Sequence, residues 1–242
     1  MSLVNEETLE CPRCGKARDL CVCDAIRPLE TRTRVLILQH PQEPDVDLGS
    51  ARLLTLCLPT ATLRVGLSWP NLRAALGPDA AGLDVQPSRW AALYLGSGIK
   101  ANDVKAPIAT HPSSAPTTKR GAEPSLLLLD KKGTPLADQS VALDGIVLLD
   151  GTWAQAKTLW WRNAWLLKLR RAVLVPANRS LYGELRREPR RECLSTIEAA
   201  AEALVAVGEP PAIGDALRAV FTRLLERARS RGASSGASSR HG

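Results

Sequence analysis

Three apolar runs, TRVLILQH (33–40), SLLLLD (125–130) and GIVLLD (145–150), set the strongest limit on what this chain can fold into. A strand with one wet face alternates apolar and polar residues. One buried on both faces reads as a continuous run, and such strands belong to parallel sheets covered by helices on each side. The intervening text fits that reading. LGSARLLTLCL (48–58) predicts a short helix, ATLRVGL (61–67) a strand, NLRAAL (71–76) a further helical turn or two, WAALYL (90–95) a strand, and a helix follows from Thr152. Strands alternating with helices give an α/β fold with a mostly parallel sheet. With 242 residues, 45% of them hydrophobic, the chain has enough material for one large domain or for one domain plus a small appendage.

Two stretches fall outside this pattern. Residues 97–124, rich in Pro, Ser, Ala and Lys, bury too little apolar surface to offset their ordering entropy and are expected to be a mobile insertion. SRGASSGASSRHG (230–242) reads as a disordered, low-complexity tail. There is no apolar run of about 18 residues, and the opening MSLVNEETLECPRC has neither a basic start nor an apolar stretch behind it. The expectation is a cytoplasmic chain with no membrane contact and no evident obligate protein partner.

Four of the six cysteines stand as C-x2-C-x6-C-x-C: Cys11, Cys14, Cys21 and Cys23. Four thiolates make a complete tetrahedral shell for Zn(II), and a segment this short needs a metal to hold a shape. Two disulfides are the other option, one that a cytoplasmic chain does not normally keep. Residues 1–29 are therefore read as a zinc-binding module whose closed shell is structural. Cys57 and Cys193 are read as ordinary core or helix-edge thiols.

The stretch VLLDGTWAQAKTLWW (147–161) holds the most chemistry. Asp150 ends a strand, Gly151 lets the chain turn, and Thr152 with Gln155 fits a T-x-x-Q capping box. Ligands of open α/β sheets bind outside the carboxyl ends of strands, which is where Asp150 falls. An Asp-Gly turn with a Thr cap is also ordinary grammar. Ser195 and Glu198 repeat that grammar in CLSTIEAAAEALVAVG (193–208), and two capped helices beside strand ends gather backbone N–H groups around one pocket. Trp153, Trp160 and Ala164 share a helical stripe of the kind that usually packs inward. Trp161 and Trp165 lie off it, placed to stack on bases or to cover the insertion.

Charge is concentrated in the same half. The chain carries a net +7, yet Lys157 to Arg191 alone hold ten basic residues against two acidic ones. Such a window beside a candidate site points to RNA or another phosphate-rich partner, with a plain solvated face as the alternative.

LLDGTWAQAK, LYGELRREP and LSTIEAAAEAL, in that order, preceded by CPRCGKARDLCVC and by HPQE (40–43), resemble the DTW-domain family of tRNA-uridine aminocarboxypropyltransferases. The resemblance covers most of residues 10–210. It departs where PDVDLGSARLL follows HPQE in place of a Lys and a Thr-Asn-Thr-like stretch, and where LYLGSG stands for LYP. It implies a SPOUT-like catalytic domain over 30–229 with a C-terminal knot, a feature beyond any periodicity argument. It also implies transfer of the 3-amino-3-carboxypropyl group of S-adenosylmethionine to N3 of a tRNA uridine, leaving methylthioadenosine. By that resemblance Asp150, Thr152 and Trp153 are the catalytic signature, with Asp150 projecting into the crevice as general base for the N3 proton. The resemblance further implies that Leu95, Gly96, Leu149, Leu194, Ser195 and Thr196 contact the cofactor. Lys157, Arg162, Arg186, Arg190 and Arg191 are the residues expected to bind RNA. Methyl transfer on a similar fold, aminocarboxypropyl transfer to ribosomal RNA, and a zinc-containing RNA-binding protein without catalysis are the competing readings.

Overall fold

The computed structural model of the chain describes residues 10–43, 47–93, 125–130, 133–139, 141–175, 180–182 and 194–238. Six strands form one sheet: β1 (Arg34–Gln39), β2 (Ala61–Val65), β3 (Trp90–Leu93), β4 (Ser125–Leu129), β5 (Gly145–Asp150) and β6 (Arg170–Val175). Their order is β2-β1-β5-β3-β6-β4. All neighbours are parallel except β4, which runs antiparallel to β6. The helices are α1 (Ala51–Cys57), α2 (Leu72–Leu76), α3 (Trp153–Arg162), α4 (Thr196–Ala206) and α5 (Pro211–Ser238).

Strand periodicity sorts the core onto two faces. Val35 and Ile37 of β1, with Ile146 and Leu148 of β5, pack under α1, α4 and α5. Leu36, Leu38 and Val147 point the other way, onto α2, α3 and a 3-10 turn at Ala164–Lys168. The continuous apolar runs are thus explained by burial on both sides of the sheet. Where β5 begins, Gly145 lies beside Trp90 of β3, and a Cβ there would sit 2.5 Å from the indole ring. Glycine at that place leaves room for the buried Trp90 indole, which lies across it.

Several expectations need amendment. β6 was not anticipated: its opening Arg-Arg reads as part of the basic window, although Ala172 is fully buried in the sheet. The stripe of Trp153, Trp160 and Ala164 faces the core only in part: Trp160 is half-buried against the α3-side core beside the inward positions Ala156 and Leu159, while Trp153 and Ala164 are exposed. Trp165 is no base-stacking surface. The 3-10 turn changes the helical phase after Arg162, and Trp165 is buried with its indole N–H donating to Asn163 Oδ1 at 3.1 Å. The last helix continues to Ser238, past the start of the expected tail. The insertion 97–124 lies outside the described residues, as does part of the path between β6 and α4 on which a knot would depend.

Candidate active site at the end of the central strand

β5 lies between β1 and β3, so its last residue, Asp150, stands at the carboxyl edge of the middle of the sheet. Asp150 has the same strand phase as Ile146 and Leu148, which directs its side chain to the α4 face. Gln39 is its register partner on β1 and shares that phase with Val35 and Ile37. The amide of Gln39 donates from Nε2 to Asp150 Oδ2 at 2.7 Å. The hydroxyl of Thr196, first residue of α4, donates to Asp150 Oδ1. Asp150 is therefore a half-buried carboxylate clamped on both oxygens, where the sequence led us to expect one projecting freely into a crevice. A carboxylate has about four acceptor positions. Two are taken, and the remainder are held in a fixed orientation.

Gly151 adopts φ +146°, and a Cβ there would meet Gln155 Cβ and Oε1 at 2.9 Å. The turn needs glycine for both reasons. Thr152 caps α3: its hydroxyl accepts from Gln155 N at 3.4 Å, while Gln155 Oε1 accepts from Thr152 N at 2.7 Å. Gln155 Nε2 also donates to the carbonyl of Gln42 at 2.9 Å, tying α3 to the HPQE segment. His40 N donates to the Asp150 carbonyl at 3.0 Å, and buried His40 accepts at Nδ1 from Gln42 N.

The α4 start is built more tightly. Glu198 is 3% exposed. It accepts from Ser195 N at 3.0 Å, Ser195 Oγ at 2.8 Å, Ser180 Oγ at 3.1 Å and Leu181 N at 2.6 Å. It does more than cap a helix, because it pins residues 180–181 to the residue preceding Thr196. Gln39 and Glu198's second task were missed from the sequence. The signal for Gln39 was its place in phase with Asp150 on a neighbouring strand, visible only once the β1–β5 register is known.

Of the other expected contacts, Leu149 and Leu194 are half-buried beside this junction, and Ser195 is buried. Trp153 is 45% exposed in the first turn of α3. Lys157 and Arg162 are exposed on α3. Leu95, Gly96, Arg186, Arg190 and Arg191 lie outside the described residues, as does Cys193. Two surface depressions, of about 490 and 610 Å³, lie on α5 beside Asp19 and around Glu30 and Pro211, and neither is lined by Asp150 or its partners.

At the N-terminus the sulfur atoms of Cys11, Cys14, Cys21 and Cys23 all lie within 4.8 Å of one another, unbonded. Cys11 and Cys23 are 3.8 Å apart, and four sulfurs about 2.3 Å from one zinc ion stand about 3.8 Å apart. The donor set and its spacing fit a metal ion. The backbone N–H groups of Cys14 and Arg13 pull the Cys11 thiol down to about 6, whereas burial pushes Cys21 and Cys23 up. Leu20, Val22 and Ile26 of this segment join the core under α1 and α5. Arg52 of α1 donates to the carbonyls of Pro12 and Arg13, and Arg227 of α5 grips both oxygens of Asp24 at 3.0 and 2.9 Å.

No helix among the described residues is long and apolar enough to cross a membrane. The chain is 29% identical over 203 residues to tRNA-uridine aminocarboxypropyltransferase 2 of Mus musculus, covering 82% of this chain and 56% of the mouse protein. The protein of that name from Drosophila melanogaster is 27% identical over 216 residues, covering 86% and 70%. The one from Macaca fascicularis is 27% identical over 199 residues, covering 81% and 55%. The chain thus spans little more than half the length of the two mammalian relatives. No solved structure matches. The DTW domain model matches residues 8–229, a span that takes in the cysteine cluster, the Asp150 junction and the α4 cap, and the chain belongs to the DTW-domain family.

Proposed function

We propose that the chain is a tRNA-uridine aminocarboxypropyltransferase, moving the 3-amino-3-carboxypropyl group of S-adenosylmethionine to N3 of a tRNA uridine. The observation that carries this reading is the clamped Asp150 at the end of β5, inside a DTW match that spans most of the chain. The relatives' names supply the reaction and the tRNA. S-adenosylmethionine supplies an alkyl carbon already activated by its sulfonium. Leu149, Leu194, Ser195 and Thr196, with Leu95 and Gly96, are assigned to it. Asp150 takes the N3 proton of the uracil as the N3–carbon bond forms and the carbon–sulfur bond breaks, with methylthioadenosine leaving on the released electron pair.

The clamp gives that step its geometry. Gln39 and Thr196 fix the plane of the carboxylate, so the open acceptor positions of Asp150 need no reorganisation when the uracil arrives. Thr152 and Trp153 complete the signature. Thr152 sets where α3 begins, and Trp153 walls the approach to the strand end. Lys157 and Arg162, with Arg186, Arg190 and Arg191, are assigned to tRNA phosphates. A SPOUT-like knotted path for the C-terminal half, and zinc at Cys11, Cys14, Cys21 and Cys23, belong to the same reading. Metal analysis of the purified protein should give one zinc per chain.

The test is nucleoside mass spectrometry on tRNA incubated with the protein and S-adenosylmethionine. An aminocarboxypropyl uridine with methylthioadenosine as by-product is expected. A methylated nucleoside with S-adenosylhomocysteine would replace this reading with methyl transfer. Product from ribosomal RNA alone would move the substrate.

A further inference from the structure

α3 buries a small apolar face and yet leaves two large apolar side chains outside. Its buried positions are Ala156 and Leu159, and its solvent face centres on Trp153, Lys157 and Trp161, each four residues from the next. An outward helix face normally carries polar residues. Here it carries two indoles, 45% and 75% exposed, with an ammonium between them. At about 1.5 Å of rise per residue the two tryptophans are spaced by about 12 Å along the helix. α3 has no acidic side chain, and the basic window begins on it at Lys157.

We propose that this face of α3 is a stacking platform for single-stranded RNA next to the modified uridine, with bases on Trp153 and Trp161 and a phosphate on Lys157. Aromatic faces accept any unpaired base, and a cation between them tracks the backbone, which is the general design of single-strand binding surfaces. Duplex RNA hides its base faces and offers a deep groove that these side chains do not enter. A protein partner would call for an apolar centre depleted of charge, and here the centre is a lysine. The inference rests on the proposed function for the identity of the RNA and for the place of the modified uridine.

The test is fluorescence anisotropy of the full chain with a labelled, pyrimidine-rich single-stranded oligoribonucleotide of about a dozen nucleotides, and with its duplex. Trp161→Ala should weaken single-strand binding roughly tenfold, Trp161→Phe should keep most of it, and neither should change duplex binding. Lys157→Ala should lower the salt slope by about one. Unchanged affinity in Trp161→Ala, equal losses on single strand and duplex, or an effect confined to self-association in sedimentation would each overturn the proposal. Wild-type turnover on tRNA is read separately. Product formed with Trp161→Ala affinity unchanged sinks the platform and leaves the transferase. Absence of product with affinity lost does the reverse.

Discussion

α3 and α4 begin with the same local code and use it differently. Both open on a reciprocal capping box, Thr152 with Gln155 and Ser195 with Glu198. The first box is exposed, and its Gln155 spends its remaining hydrogen bond on one loop carbonyl. The second is buried, and its acid collects two backbone N–H groups and two hydroxyls from two separate segments. A capping motif therefore reports a backbone conformation, while burial decides how much of the fold depends on it. In water a lost cap hydrogen bond is replaced by solvent. In a dry site the orphaned donors stay orphaned.

The strongest way to break this comparison is Glu198→Gln. It turns one acceptor oxygen into an NH2 group facing donors from Ser180, Leu181 and Ser195. Destabilisation of about 3 kcal/mol is expected in urea unfolding. A loss under 1 kcal/mol would show that the α4 start is no better buried than that of α3.

The dryness of the α4 side can be read independently at Cys57, at the end of α1 in the same core. Burial pushes its thiol from 9.0 up to about 11. Between those values the folded chain keeps a proton that the unfolded chain has released. Stability contributed by the neutral thiol is thus complete below pH 9 and is lost as pH rises toward 11, by roughly 2 to 3 kcal/mol. The stability difference between wild type and Cys57→Ala should change by this total across that range, as a steeper fall of the wild-type stability with pH. Equal slopes would mean that water reaches the α4 side.

On the α3 side the tightest constraint is backbone geometry. Gly151→Ala would force a side chain into φ +146° against Gln155, and about 2 kcal/mol of destabilisation is expected. Gln155→Ala in the same background removes the contact with Oε1 but keeps the one with Cβ, so it should recover only a small part of the loss, a non-additivity that a double-mutant cycle would register.

Much of this was legible in the sequence because it is local or periodic. The apolar runs located β1, β4 and β5, the two boxes located the helix starts, and the cysteine spacing located the sulfur cluster. What stayed hidden depends on pairing between distant segments. β6 was masked by Arg170 and Arg171 because its polar start lies at the strand's rim, where Arg170 reaches the Ser88 carbonyl and Arg171 lies over Trp160. Nothing along the chain indicates that β4 turns antiparallel. Asn163, 0% exposed with its side chain bonded to Leu67 O, Leu159 O, Trp69 N and the Trp165 indole, gave no signal either, since all but one of these partners are set by tertiary packing or the 3-10 turn. For the site itself, Asp150 was legible as a strand end, but its clamp was not: Gln39 and Thr196 meet it only through sheet register and helix placement.

The smallest expected effect gives the sharpest form of the comparison. Thr152 and Ser195 hold equivalent cap positions, so Thr152→Ala and Ser195→Ala remove equivalent groups. Thr152 contributes a 3.4 Å bond in water's reach, and the shorter half of its box, from Thr152 N to Gln155 Oε1, survives the substitution. About 0.5 kcal/mol is expected, at the low end for a cap. Ser195 is buried and its hydroxyl both accepts from Glu198 N and donates to Glu198 Oε2, so its removal leaves the Glu198 N–H without its acceptor in a dry site and takes one of the three donors from Oε2. About 2 kcal/mol is expected there. The same code would then differ severalfold in worth between two helix starts that meet at Asp150. Equal losses from the two alanines in parallel denaturation curves would reduce both helix starts to ordinary caps, and the case for α4 as the rigid half of the Asp150 clamp would go with them.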